Sequence, residues 1–249
     1  MAWACEAVYQ NGKDEMISRM RTFNERIVDV IPVYQDNAVA AIVEHEDFRI
    51  WVYRGTDDIQ DWIDNLDVEA DHNWHHGFFR HYKKTLEVMK NNHSLLIDER
   101  GIKPLYFTGH SLGGACAAIA AMEAEYYQCR DLKLKGSPLT TQPRALITFG
   151  APRVFTKEGQ IRAGKAKFPY YRFRRCGDIV PRVPPRALHF YHAGVGVYMD
   201  RKRRAHMDWE WWNRLADRIL GWRKSIQPAS MHSVMEYLVD MSTWRRIRQ

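Results

Sequence analysis

The five residues Gly109-His110-Ser111-Leu112-Gly113 carry the clearest chemistry in this sequence. An apolar run, Leu105-Tyr106-Phe107, leads into them and an alanine-rich stretch from Gly114 leads away, so the expected context is strand, tight turn, helix. In that context Gly-x-Ser-x-Gly reads as a nucleophile elbow rather than an ordinary glycine-rich turn. The turn strains the backbone at the serine, and side chains at 109 or 113 would collide with the neighbouring strand and helix. Ser111 is the candidate nucleophile. Acyl transfer by a serine needs a base to take its proton, an acid to fix the base's tautomer, and donors for the oxyanion. The helix that starts after Ser111 points its positive end at the serine, which places the Leu112 N–H to stabilise an oxyanion.

The acid and the base must come from elsewhere in the chain. Tyr170-Tyr171-Arg172-Phe173 reads as a strand followed by Arg175-Cys176-Gly177-Asp178, and an open α/β sheet presents catalytic groups at the carboxyl ends of its strands. Asp178 is therefore the candidate acid. The sequence has 11 histidines to compete for the base. His110 adjoins Ser111, but the turn directs its side chain away; His189 and His192 sit on a late strand-like stretch, Leu188 to Met199. His232, which opens the last helix, is preferred. The order Ser111, Asp178, His232 is that of an α/β-hydrolase triad.

Further elements must hold these groups in place. Trp3, Val8, Met16, Met20, Phe23, Ile27 and Val30 recur mostly at three- and four-residue spacings, which predicts a helical N-terminal segment over residues 1–36. Two β-prone runs, 38–43 and 48–53, predict a hairpin that feeds Arg54-Gly55-Thr56. Ile59, Trp62, Ile63 and Leu66 then share one face of a short helix whose other face is acidic, so that face is covered either by the core or by an active-site mouth. His72, His75 and His76 bring no cysteine or carboxylate cluster with them and read as solvated or capping residues rather than zinc ligands. Arg144 to Phe149 is a buried-looking strand. Residues 201–227 form a basic, tryptophan-rich insertion between Asp178 and His232. Its helix, with Trp209, Trp212, Leu215, Ile219 and Trp222 on one face, reads either as interfacial or as packed on the domain with a solvated basic rim.

At 249 residues and 45% apolar content the chain is read as one domain, 1–249, with an extended core. Its formal charge of +7 is compatible with a lipid surface, and equally with a mildly basic surface that has no dedicated partner. Outside Arg201 to Arg204 the basic residues are dispersed and no nucleic-acid motif accompanies them, so no nucleic-acid partner is expected. Cys5, Cys116, Cys129 and Cys176 form no CxxC pair and are read as reduced thiols. No secretion signal and no apolar stretch of bilayer-spanning length is visible, which makes a soluble, cytoplasmic protein the expectation, with leaderless export as the alternative. Oligomeric state is not legible.

Six separated motifs together resemble the class 3 lipases, the fungal triacylglycerol lipase type of α/β-hydrolase. They are Tyr53-Arg54-Gly55-Thr56, Trp62-Ile63-Asp64-Asn65-Leu66, His76-Gly77-Phe78, Gly109 to Ala115, Thr148 to Arg153, and Asp178-Ile179-Val180-Pro181, with His232-Ser233 behind them. The resemblance implies an α/β-hydrolase fold, a mostly parallel central sheet flanked by helices. It also implies a serine carboxylester hydrolase that cleaves acylglycerol or related lipid esters through an acyl-enzyme, with no metal and no other cofactor. Residue by residue, it implies Ser111 as nucleophile, Asp178 and His232 as its partners, and Thr56 with Leu112 as the oxyanion hole, Thr56 adding its hydroxyl to its N–H. Ile59, Trp62, Ile63 and Leu66 would correspond to the lid. The chain departs from the secreted fungal lipases in a shorter stretch between Leu66 and His76, in lacking a disulfide pattern, and in the 201–227 insertion. The rival readings are a phospholipase acting on anionic membranes and a non-catalytic lipid- or protein-binding module that keeps the fold.

Overall fold

The computed structural model describes residues 1–35, 38–56, 69–91, 103–129, 142–221 and 232–242. Two short helices, α1 (Ala2–Ala7) and α2 (Lys13–Arg21), precede the strands β1 (Ile27–Gln35), β2 (Ala38–His45) and β3 (Arg49–Tyr53). A small ribbon, β4 (Ala70–Asp71) and β5 (Trp74–His75), leads into α3 (His76–Asn91). Then come β6 (Leu105–His110), α4 (Leu112–Cys129), β7 (Pro143–Phe149), α5 (Lys157–Ala163) and β8 (Tyr170–Arg175). The described chain closes with β9 (Val195–Met199), β10 (Ala205–Met207), α6 (Trp211–Gly221) and α7 (Val234–Ser242).

Eight strands form one sheet in the order β1-β2-β3-β6-β7-β8-β9-β10. From β3 through β9 neighbours run parallel, whereas β1, β2 and β10 add antiparallel borders. Strand alternation divides the core in two. Trp51 and Tyr53 of β3 pack on the face covered by α3 and α4, and Ile50 and Val52 pack on the face shared with α1, α2 and α7. Helix α4 needs no polar face. Its Ala115, Ala117, Ala118, Ala120, Ala121 and Ala124 are buried and small, so the helix axis can approach the sheet closely. A wholly buried side chain such as Phe107 contributes about 1.5–3 kcal/mol by leaving water.

Two expectations are corrected here. Residues 27–35 of the expected N-terminal helical segment, 1–36, form strand β1, paired with β2 from Ile27↔His45 to Gln35↔Ala38. Ile27, Val30 and Val33 are three residues apart, which mimics a helix: a register shift between Ile27 and Asp29 keeps Ile27 and Val30 on one face, Val33 is buried on the other, and the β-branched content favours the ladder. Pro32 has no N–H for that ladder, a lack that an edge strand tolerates. The 201–227 insertion does not carry Trp209 on its helix either. Its first residues turn back to pair β10 with β9, and Trp209 precedes α6, stacked on His206 with ring centroids 3.9 Å apart. At the start of α6, Trp211 is 62% and Trp212 52% exposed.

The expected lid residues Ile59, Trp62, Ile63 and Leu66, and Trp222 of the insertion, lie outside the described residues. Among the described residues, Cys5, Cys116 and Cys176 are free thiols. No helix among them is long and apolar enough to cross a membrane.

Candidate active site

Strand register assembles the site. Tyr53 of β3 lies opposite Gly109 of β6, so Arg54-Gly55-Thr56 and His110-Ser111-Leu112 leave adjacent parallel strands at one level. His110 lies opposite Phe149 of β7, which sets Gly150 beside Ser111, and the Ser111 N–H donates to the Phe149 carbonyl at 3.0 Å. Phe149 lies opposite Phe173 of β8, and Asp178 follows on the loop beyond that strand. All of these positions are at the carboxyl edge of the parallel strands.

Ser111 itself has φ +57°, a left-handed conformation that a serine adopts only under constraint. Close contacts enforce the turn: a Cβ on Gly109 would overlap the Gly113 carbonyl, and one on Gly113 would overlap the carbonyl of Tyr53. Ser111 is wholly buried, and its Oγ has no hydrogen-bond partner among the described residues.

His232 and Asp178 form a buried pair. The imidazole Nδ1–H donates to the carboxylate, 2.9 Å from Oδ1 and 2.9 Å from Oδ2. That assignment leaves the Nε2 lone pair as an acceptor, and Nε2 is a second buried polar atom with no partner among the described residues. Both groups abut Gly150. A Cβ there would come within 2.8 Å of His232 Cε1 and 2.9 Å of Asp178 Oδ2, and the backbone at Gly150 has φ +59°. Asp178 Oδ1 also accepts the Val180 N–H at 2.9 Å, and Oδ2 accepts the Tyr237 hydroxyl at 2.5 Å. The structure thus brings Asp178 and His232 into contact with each other, next to the turn that holds Ser111.

The two expected oxyanion donors flank that turn. Leu112 opens α4, where the first N–H groups of a helix lack intrahelical acceptors. The loop carrying Thr56 lies against the elbow, because a Cβ on Gly55 would sit 3.0 Å from Ser111 Cβ.

Sequence reasoning missed two tyrosines. Tyr237 on α7 holds Asp178; burial first, and then the Asp178 charge, push its phenol well above the usual range, so it stays a proton donor. Tyr9, just beyond α1, accepts the Gly55 N–H at 3.1 Å and sits 3.4 Å from His110 Nδ1. His110 Nε2 lies 2.6 Å from the His232 carbonyl, which can only accept, so Nε2 carries the proton and Nδ1 is left to accept from Tyr9. The side chain that sequence reasoning turned away from the nucleophile instead ties the Gly55 loop to the backbone of His232. Burial, and then the neighbouring His232, hold His110 well below the usual histidine range, hence neutral. No sequence motif marks either tyrosine. Of the linker histidines, His75 is buried and stacked on Phe78 at 4.1 Å, neither solvated nor capping as expected, and His76 faces Glu69.

Residues 50–188 match the lipase (class 3) family. The chain belongs to that family. The matched span carries Thr56, Ser111, Leu112 and Asp178, whereas His232 lies beyond it. A lipase from Rhizomucor miehei is 31% identical over 172 residues, which cover 65% of this chain and 44% of that protein. The secreted mono- and diacylglycerol lipase 1 of Fusarium solani is 28% identical over 157 residues, 59% of this chain and 42% of that protein. This class 3 lipase-family chain therefore matches less than half the length of those two relatives. Among solved structures, lipase II from Rhizopus niveus superposes with a TM-score of 0.60 over 80% of this chain and 76% of its own, at 22% identity. The α/β-hydrolase fold is thereby shared.

Proposed function

We propose that the protein is a serine carboxylester hydrolase acting on acylglycerols or related lipid esters. The observation that carries this reading is a complementary pair of buried atoms without partners, the Ser111 hydroxyl and the His232 Nε2 lone pair, with the imidazole already held by Asp178 at 2.9 Å. In the first half-reaction His232 Nε2 takes the Ser111 proton as Oγ attacks the ester carbonyl. The oxyanion is held by the Leu112 and Thr56 N–H groups and the Thr56 hydroxyl. His232 then gives the proton to the departing alcohol, leaving an acyl-serine. A water deprotonated by His232 attacks that acyl group, and the fatty acid leaves as the proton returns to Ser111. Asp178 keeps the proton on Nδ1 throughout, and each oxyanion donor contributes on the order of a hundredfold or more in rate.

The lipid character of the substrate is supported by the family and by the exposed apolar face of α6, where Trp211, Trp212 and Leu215 present an interface-seeking surface beside basic residues. We assign that face to contact with a lipid surface. A fluorophosphonate probe should label Ser111, and Ser111→Ala should abolish both labelling and p-nitrophenyl ester cleavage. Hydrolysis retained in that variant overturns the assignment. A panel of monoglyceride, triglyceride, phospholipid and short acyl esters then ranks the substrates.

A further inference from the structure

The structure holds a cavity of about 320 Å³ whose wall includes Asp178 itself and five arginines, Arg153, Arg174, Arg175, Arg182 and Arg214, while Ser111 and His232 are absent from it. Trp211 and Leu215 of α6 complete the lining. The guanidinium groups come from four places in the chain: the loop after β7, the end of β8, the turn after Asp178, and α6. Convergence of this kind is a property of the fold and invisible in the sequence.

Three of these arginines, Arg153, Arg174 and Arg214, form no ion pair with a described carboxylate. Both oxygens of Asp178 are committed to His232, Tyr237 and the Val180 N–H. Arg153 donates to the Arg182 and Pro184 carbonyls, which orient it without cancelling its charge. Arg174 lies over the Tyr198 ring at 5.3 Å and forms no ion pair with a described carboxylate. Arg214 donates to the Trp209 carbonyl, with Asp208 and Glu210 as the acids near it. Arg175, one residue along β8 from Arg174, shows the contrast: it is matched by Asp240 at 2.6 Å and Glu236 at 2.8 Å. Burial and the neighbouring arginines act on these groups together. Burial, and then Arg214 and Arg172, pull Arg174 down to about 10, and burial followed by its arginine neighbours also lowers Arg153.

We propose that this cavity is a binding site for a phosphate group, with Arg174 and Arg214 as its main ligands and Trp211 and Leu215 receiving the adjoining apolar part of the bound molecule. Phosphate suits the cavity better than a carboxylate. It carries up to two negative charges on oxygens that spread tetrahedrally, so guanidinium groups arriving from several elements can each engage one edge, whereas a planar carboxylate is saturated by a single bidentate arginine. The apolar rim favours an amphiphile, and the site adjoins the triad through Asp178 although neither the nucleophile nor the base lines it. The phosphate could belong to a lipid headgroup or to a free phosphate ester; the chemistry of capture is the same.

The test is a binding titration read by tryptophan fluorescence, since Trp211 lines the cavity, at constant ionic strength and in Ser111→Ala protein so that nothing is hydrolysed. The probes are inorganic phosphate, monomeric 1-acylglycerol phosphate and uncharged monoacylglycerol. A saturable response to one or both phosphate probes, weakened at least tenfold in Arg174→Gln and in Arg214→Gln, supports the site. Equal affinity for the two probes assigns a free phosphate group and overturns the apolar contact with Trp211 and Leu215, whereas a tenfold preference for the acylated one assigns a lipid headgroup. No saturable response to either, an equal response to monoacylglycerol, or titrations unchanged by both substitutions overturns it. If Arg174→Gln fails to fold by circular dichroism, Arg214→Gln, on the exposed α6, carries the test alone. Because hydrolysis is not the readout, the site stands or falls independently of the proposed esterase chemistry.

Discussion

The Tyr237 hydroxyl donates to Asp178 Oδ2 at 2.5 Å while its oxygen accepts the Arg175 N–H at 3.1 Å. One phenol thus fixes the carboxylate that orients His232 and binds it to the end of β8. Tyr237→Phe should lower kcat about tenfold with KM little changed, because a lost hydrogen bond to a charged group is worth roughly 1.5–3 kcal/mol and the substrate is not touched. Steady-state kinetics on a short-chain ester check this. A change confined to KM would assign Tyr237 to binding instead.

Tyr9 lies outside the span matched to the family, yet its hydroxyl accepts the Gly55 N–H at 3.1 Å. Tyr9→Phe removes the acceptor and frees the loop that carries Thr56. The expected result is a fall in kcat/KM of roughly tenfold, with fluorophosphonate labelling of Ser111 slowed in proportion, for a net loss of about 1 kcal/mol per hydrogen bond or somewhat more. Thermal stability should change by less than activity.

Two histidines, the buried His110 and the half-buried His192, set an acid limit. Burial first, and then His232 in one case and Arg172 in the other, hold His110 and His192 well below the usual range. An unfolded histidine takes up a proton near pH 6.5, whereas these two resist it when folded. Stability is therefore full above about pH 6.5 and lost as pH falls below it, by up to about 1.4 kcal/mol per pH unit for each group. Urea midpoints at pH 7.5, 6 and 5 should decline, and His192→Gln should flatten the decline by up to one proton even though it lowers the midpoint at pH 7.5. An unchanged slope would assign the acid sensitivity elsewhere.

Trp211 and Trp212 are exposed at 62% and 52%, so replacing both by alanine should alter stability by no more than about 0.5 kcal/mol each. Co-sedimentation with lipid vesicles should nevertheless fall several-fold. If vesicle binding is unchanged, α6 does not meet the lipid surface.

The elbow was legible in the sequence because its strand, turn and helix are contiguous, and Asp178 because a strand end announces it. His232 needed chain order as well as pattern. Strand β1 was not legible: a register shift at Ile27 and Asp29, together with burial of Val30 and Val33 on opposite faces, gives apolar positions a helical spacing, and only pairing with β2 decides between the two. Tyr237 and Tyr9 were out of reach because each acts across a long stretch of chain, on Asp178 and on Gly55, through one oxygen atom. The arginine cavity was hidden for a related reason, since Arg153, Arg174 and Arg214 look dispersed until β7, β8 and α6 bring them together.

Helix α7 packs on α1 and follows directly on His232. Under the proposed chemistry, a chain cut after β8 would keep Ser111 and Leu112 but lack Asp178, the imidazole and the phenol that steadies the carboxylate. The site is complete only once α7 docks against α1, so the helices at the two ends of the described chain meet where the base is held.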